Sequence, residues 1–319
     1  MTASWKSIQF LGRIASQMMA ILRMIPFVDD AVDSVQRKLL NPIVIRLIQD
    51  TDDPDLDAAL ELYRKKIPDD QRFETTDIIS WLREDKISRH GADRDAAPTD
   101  WFVVAKYKRR VCGFILFHYY PGVRLALFAY MVVAASPGSA SPNIAANTLC
   151  SYASKLLKTR RELLGCRGIV LEVEDPRKEK GKYKQDECLA RVRRFCTLAE
   201  MQGFSLRALD FTYKQPKLST DAPPDTERPM LLLSARIREN PANAQNQRSE
   251  AAELLSFVYT RVYPEGYSMD ALENGEYRDY CLALLNRELA NLPAQVRSLS
   301  VKQLVVQVRN SQSPKIMPR

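Results

Sequence analysis

Histidine is almost absent from this 319-residue chain, which has only His90 and His118. Six cysteines are present (Cys112, Cys150, Cys166, Cys188, Cys196 and Cys281) but no CxxC pair, so the residue supply argues against a Cys/His zinc site. A Cys–His nucleophilic pair would have to rest on His118, which alternates with apolar residues at a strand end. Four of the cysteines sit inside apolar helix or strand patterns and read as buried free thiols. No run of about 18 uncharged apolar residues occurs, so no transmembrane helix is expected. Nor is there an uninterrupted block of five or six Lys or Arg, so the net charge of +8 is spread out. That balance favours an anionic partner, such as a phosphate-bearing cofactor, an acidic surface or nucleic acid, and selects none of them. No internal repeat is visible.

What is present is ordinary material for a core: 45% of the residues are hydrophobic and 27% charged. The length suits one large domain or two. Residues 1–40 read as an appended segment. Within it, Ile8–Ile25 forms an amphipathic helix with basic residues Lys6, Arg13 and Arg23. Arg13 interrupts any signal-peptide core and no A-x-A site follows, so a cytoplasmic address is expected. That helix packs on its own protein or docks to a partner helix or membrane surface.

Asn41-Pro42 marks a boundary, and the main domain is expected over residues 41–238. Ile43–Ile48 reads as its first strand. Asp53-Pro54 opens a helix to about Lys66, and Thr75-Thr76-Asp77 opens a second. A hairpin (Trp101–Tyr107, Val111–Tyr119) leads to an apolar strand, Leu125–Ala134. The Ser/Pro/Gly/Ala loop Ala135–Pro142 then opens a helix from Asn143 to about Leu164. A strand at Gly168–Val173, a basic loop, a helix ending in Met201-Gln202-Gly203-Phe204 and two strands complete the domain. An Asn/Gln/Ala/Pro linker (239–248) precedes a helical extension (249–309), whose last part, Val296–Val308, is a helix or strand. Residues 310–319 form a tail expected to be disordered.

This order of elements over residues 42–238 resembles the GNAT superfamily of N-acetyltransferases. In that family a [QR]-x-x-G-x-[GA] loop holds the coenzyme A pyrophosphate on backbone N–H groups at a helix N-terminus. The corresponding hexad is Ala135-Ser136-Pro137-Gly138-Ser139-Ala140, in which Gly138 and Ala140 match and Ala135 replaces Gln or Arg. Ala199-Glu200-Met201-Gln202-Gly203-Phe204 resembles the family's Y-x-x-x-G-F, with Ala199 where the family often has a Tyr that protonates the departing thiolate. Tyr213 is a candidate substitute for that acid. The fold class expected is α/β: a GNAT-like mixed, mostly antiparallel twisted sheet of six or seven strands with helices on both faces and helical extensions at both termini.

Alternation along Ile169–Glu174 puts Ile169, Leu171 and Val173 on one face and Glu172 with Glu174 on the other. Either carboxylate, at the end of a central strand, is a candidate base for an attacking amine. The resemblance implies acetyl-CoA or another acyl-CoA as co-substrate and no metal. It puts pantetheine on the backbone of Met131, Val132 and Val133, and pyrophosphate on Gly138, Ser139 and Ala140. The Arg/Lys-rich loop at 177–184 is a solvated surface or a contact for coenzyme phosphate. Two readings follow: an N-acyltransferase acting on an amine-bearing small molecule or protein, or an inactive GNAT-like binding module working through its terminal helices. A weaker third is a membrane- or nucleic-acid-associated protein. Arg72–Thr76 and Leu218–Arg228, which would border the acceptor, carry no diagnostic pattern.

Overall fold

Period-two stretches of β-branched and aromatic residues build one nine-stranded sheet, and amphipathic helices cover both of its faces. The computed structural model describes residues 43–83, 98–134, 142–216, 218, 227–237, 247–266 and 275–312. The chain runs β1 (Ile43–Ile48), α1 (Pro54–Lys66), α2 (Thr75–Arg83), β2 (Thr99–Tyr107), β3 (Arg110–Tyr120), β4 (Leu125–Val133) and α3 (Pro142–Thr159). It continues through β5 (Gly168–Glu174), α4 (Lys182–Met201), β6 (Arg207–Leu209), β7 (Tyr213–Gln215) and β8 (Arg228–Arg236). The last elements are α5 (Gln247–Phe257), α6 (Glu276–Ala290), β9 (Ser298–Leu299) and α7 (Val301–Gln312). A π-helical stretch (Val258–Val262) and a further turn (Tyr263–Gly266) extend α5.

The sheet order is β1-β2-β3-β4-β5-β8-β6-β9, with β7 also on β8. Every pairing among the described residues is antiparallel except β4 with β5. That single parallel pair is joined through α3, the crossover that such a pair requires. The expected mixed, mostly antiparallel sheet is present, with nine strands among the described residues in place of the six or seven expected. The additional strand at the far edge is β9, two residues long and too short to leave a sequence pattern.

Two apolar layers flank the sheet. One joins α1, α2, α5 and α6 to the face carrying Phe102, Phe114, Leu127, Val170 and Leu232. The other joins α3, α4 and α7 to Val103, Ile115, Ile169, Leu171 and Leu233. The segment expected as an appended C-terminal extension is thus part of both cores. Leu254, Leu255, Tyr259 and Tyr263 pack with Tyr63 and Phe114, and Leu304 and Val308 with Leu189 and Val192. The amphipathic patterns announced apolar faces but not what they would cover. The N-terminal extension (1–40), with its helix at 8–25, and most of the 239–248 linker lie outside the described residues.

Local chemistry sets the element ends. Asp53 caps α1 by accepting from the Asp55 N–H at 2.9 Å, Pro54 starts the helix, and Arg64, Lys65 and Lys66 end it. Asp55 itself is buried and bound by Arg46 and by Lys106 at 2.6 Å, which fixes α1 to β1 and β2. α3 stops at Thr159, short of Leu164, and a 3-10 turn (Arg161–Leu163) follows. At the end of α4, Gly203 has φ +81°, with Phe204 N–H to Ala199 O and Gly203 N–H to Glu200 O, each 2.9 Å. This is a Schellman motif, the left-handed cap expected from the Gly-Phe pair.

The β2–β3 hairpin closes with two residues, Lys108 (φ 48°) and Arg109 (φ 67°), between the paired Tyr107 and Arg110. Both occupy the left-handed region that Asn and Gly tolerate best. Replacing Lys108-Arg109 with Asn-Gly is expected to stabilise the fold by about 1 kcal/mol, read as a higher urea midpoint. An unchanged midpoint would show that this turn holds no strain.

Candidate active site

Beyond Leu127 and Val170 the two parallel strands part. β4 and β5 pair only through Leu125–Gly168, Ala126–Ile169 and Leu127–Val170. The cause lies on the other side of β4. There Phe117 opposes Phe128 and Leu116 opposes Tyr130, which leaves Ala129 as the extra residue of a β-bulge. A bulge bends its strand and increases its twist. β5 meanwhile continues regularly along β8 as far as Glu174–Met230. The Ala134 N–H donates to Cys112 O at 2.8 Å, so antiparallel alternation turns the N–H groups of Met131 and Val133 away from β3, into the gap.

Two cavities open from that gap. The larger, about 750 Å³, lies over the α1/α2 face and includes Phe73, Trp81, Asp100, His118, Tyr120 and Tyr263 on its walls. The smaller, about 70 Å³, lies between the splayed strands and α3 and α4, against Cys150, Ala199 and Phe204. Ala129, Tyr130, Met131, Glu172 and Phe195 line both. Glu172 therefore stands where the two spaces meet.

The carboxyl of Glu172 is held asymmetrically. The hydroxyls of Tyr213 and Tyr263 both donate to Oε1. Oε2 has no hydrogen-bond partner among the described residues. Burial raises the Glu172 pKa above the ordinary carboxylate value, and the two hydroxyls oppose that rise without cancelling it. Burial and the Glu172 charge push both tyrosines well above their usual range, so they stay protonated donors. One oxygen is anchored and the other is available to a proton.

Glu174, two residues on, is differently placed. It accepts from Gln71 Nε2 (2.9 Å), Arg191 Nη1 (2.8 Å), Arg228 Nη1 (3.2 Å) and Cys188 Sγ (3.4 Å). Four donors make it a tie between β5, α4, β8 and the loop after α1. Burial first and then the Glu174 charge push the Cys188 thiol up to about 12. Tyr213 is 1% exposed and lines neither cavity, so its geometry is that of a support beneath Glu172. Ala199 does line the smaller cavity, at the position where the resemblance has a thiolate-protonating Tyr.

The loop between α1 and α2 is held on the same gap. Tyr63 OH donates to Phe73 O at 3.1 Å, and the Phe73 N–H donates to Tyr130 OH at 3.3 Å. The Tyr63 and Tyr130 rings meet edge to face at 4.8 Å. Burial pushes Tyr130 up to about 12. Residues 135–141, including Gly138, Ser139 and Ala140, lie outside the described residues. α3 begins directly after them with no acid in its first turn, and Arg194, on the wall of the large cavity, donates to Asn143 Oδ1 at 2.6 Å. A helix N-terminus with a guanidinium beside it suits an anion.

The basic loop does not behave as one surface. Arg177 turns inward to Asp175 (2.8 Å), Asp210 (2.8 Å) and Gln307 (2.9 Å), whereas Lys184 lines the large cavity. Three site neighbours left no usable signal in the sequence. Tyr263 arrives 91 residues after Glu172, Tyr130 looks like any strand aromatic, and Asp100 meets His118 only through hairpin register.

No family model and no curated protein matches the chain. Among solved structures it is similar to the aminoglycoside 6'-N-acetyltransferase from Enterococcus faecium, at 16% identity over 62% of this chain and 99% of that one, TM-score 0.39. It is similar to an acetyltransferase of the GNAT family from Streptococcus pneumoniae, at 12% identity over 61% of this chain and 99% of that one, TM-score 0.37. A Bacillus subtilis acetyltransferase in complex with CoA matches at 14% identity over 61% of this chain and 99% of that one, TM-score 0.33.

Proposed function

We propose that the protein is an acyl-coenzyme A dependent N-acyltransferase, with acetyl as the expected acyl group. The observation that carries this reading is the position of Glu172, anchored through one oxygen and open through the other, at the junction of a narrow slot and a broad cleft. The slot between β4 and β5 takes the pantetheine arm, whose amides pair with the backbone of Met131 and Val133. Pyrophosphate belongs at the N-terminus of α3, with Arg194 beside it.

In the reaction an amine entering through the large cleft attacks the thioester carbonyl carbon. A carbon–nitrogen bond forms and the carbon–sulfur bond breaks. Glu172 Oε2 takes the proton released by the nitrogen. An N–H of the Met131–Val133 backbone, already oriented into the gap, stabilises the oxyanion. The thiolate leaves and is protonated from water in the cleft, since Ala199 has no proton to give. Glu174 and Tyr213 position these groups and do not react.

The test is titration of acetyl-CoA and free CoA by calorimetry and thermal shift. At about 100 times the dissociation constant, a ligand specific to the folded state stabilises it by about 2.7 kcal/mol. A matching rise in melting temperature, with one site per chain, is the expected result. No shift at millimolar coenzyme would leave the second reading, a binding module of the same shape. Ala199 on the slot wall, with Ala135 in place of Gln or Arg and the prolines Pro137 and Pro142, favours that alternative.

A further inference from the structure

The large cleft runs well past Glu172, and its far wall carries polar groups that the acyl-transfer chemistry does not use. His118 is 8% exposed and lines the cleft; its Nδ1 is 2.6 Å from Asp100 Oδ1. In the neutral ring, donation of Nδ1–H to that carboxylate leaves Nε2 as an acceptor. Nε2 has no partner among the described residues. Against the same ring, edge to face at 5.1 Å, lies the indole of Trp81, which also lines the cleft and is 5% exposed. Its Nε1–H is a buried donor with no hydrogen-bond partner among the described residues.

A buried indole N–H left without an acceptor is costly, and such groups call for a partner that arrives from outside. Here an unfilled acceptor and an unfilled donor belong to two rings in contact. A single group that both donates and accepts satisfies the pair, and a hydroxyl does so: its O–H to His118 Nε2, its lone pair to Trp81 Nε1–H. A carboxylate leaves Nε2 facing a second acceptor, and an alkyl group leaves both unmet. The surrounding wall is aromatic and aliphatic, with Phe73, Tyr120 and Leu127. We infer that Trp81 and His118, the latter oriented by Asp100, form an anchoring subsite for a hydroxyl of the acyl acceptor, so that the acceptor is a hydroxylated amine.

The sheet gives the span. His118 pairs with Leu127, and Leu127 with Val170, two residues before Glu172. Two strand spacings of about 4.8 Å and two rises of about 3.3 Å put the His118 and Glu172 Cα atoms roughly 12 Å apart on one face. The nitrogen and the hydroxyl are therefore several bonds apart.

This inference deepens the acyltransferase reading and rests on it for the word acceptor, but its test does not. Linear ω-amino alcohols of about three to eight carbons would be compared with alkylamines and ω-amino acids of equal length. Calorimetry gives binding with free coenzyme A present and absent, and thiol release from acetyl-CoA gives kcat/KM. For at least one length, the amino alcohol is expected to exceed the alkylamine by about 10-fold or more in both readouts. Trp81→Phe and His118→Phe, each verified as folded by its melting curve, should bring the two probes together. Preference in binding with no thiol release would sustain the subsite and sink the acyltransferase. Thiol release without a hydroxyl preference at any length, a preference for the amino acid, or a preference intact in both variants would overturn the subsite and leave the transferase standing.

Discussion

Glu172→Gln is expected to lower kcat for acyl transfer by about 10²–10⁴-fold, the usual worth of a positioned base, with KM for acetyl-CoA little changed. The amide keeps an oxygen for Tyr213 and Tyr263 to donate to, so the packing beneath it survives. What disappears is the open oxygen to which the proposed mechanism assigns the amine proton. The pH profile separates this role from a structural one. A base works deprotonated, so kcat/KM should rise with pH through the Glu172 pKa, and burial places that limb above the ordinary carboxylate value. In the Gln variant the limb should vanish. A variant that keeps the limb, or loses less than about threefold in kcat, would remove Glu172 from the chemistry.

The same shift bears on stability, with the opposite sign to that of an ion-paired carboxylate. Because the folded pKa of Glu172 lies above the unfolded one, the folded state holds the proton more tightly between the two values. Stability from this group is complete below the unfolded pKa and declines as pH rises through the folded one. The wild type should therefore lose stability relative to Glu172→Gln across that window, as followed by urea midpoints.

Arg177→Met should destabilise the fold by about 3–5 kcal/mol, the usual consequence of leaving a buried charge without its partner. Asp175 is fully buried, and Arg177 reaches it through Nε and Nη2 while Nη1 holds Asp210 and Gln307. The guanidinium thus ties the end of β5 to the β6–β7 region and to α7. Arg297, also on Asp210 but 71% exposed, should cost under about 1 kcal/mol when changed to Ala. Burial alone would raise the Asp210 pKa, but hydrogen bonds from Gln307, Arg297 and Arg177 outweigh it and hold the pKa down. Its contribution is present above the unfolded carboxylate pKa and lost as pH falls through the folded one. The gap between wild type and Arg177→Met should accordingly narrow in acid. Equal effects of the two substitutions in urea unfolding would show that burial does not set the difference.

The path of the main sheet could be read in the sequence because each of its elements has its own periodicity. Ile169–Glu174 alternates cleanly, so the shared face of Glu172 and Glu174 was readable, as was the helix-ending role of Gly203. The different duties of the two glutamates were not. They depend on which donors reach each carboxyl, and Arg191, Arg228 and Tyr263 come from elements whose packing no local pattern encodes. Arg177 shows the same limit: within a run of lysines it has the composition of solvated surface, and only its placement beside Asp175 makes it interior. The Ala129 bulge, which parts the strands and so creates the slot, leaves no mark in an otherwise regular apolar run.

Tyr263 belongs to the segment after β8, yet its hydroxyl completes the hold on Glu172. A ribosome making this protein synthesises β1 through β8 before it adds that tyrosine. The nascent chain can pair most of its strands while the Glu172 carboxyl has one anchor of two. Tyr263 follows the end of β8 at Arg236 by 27 residues, which at about 5–20 residues per second takes about 1–5 seconds. A cut in the connection between β8 and α5 would permit the same partly finished state in the mature protein.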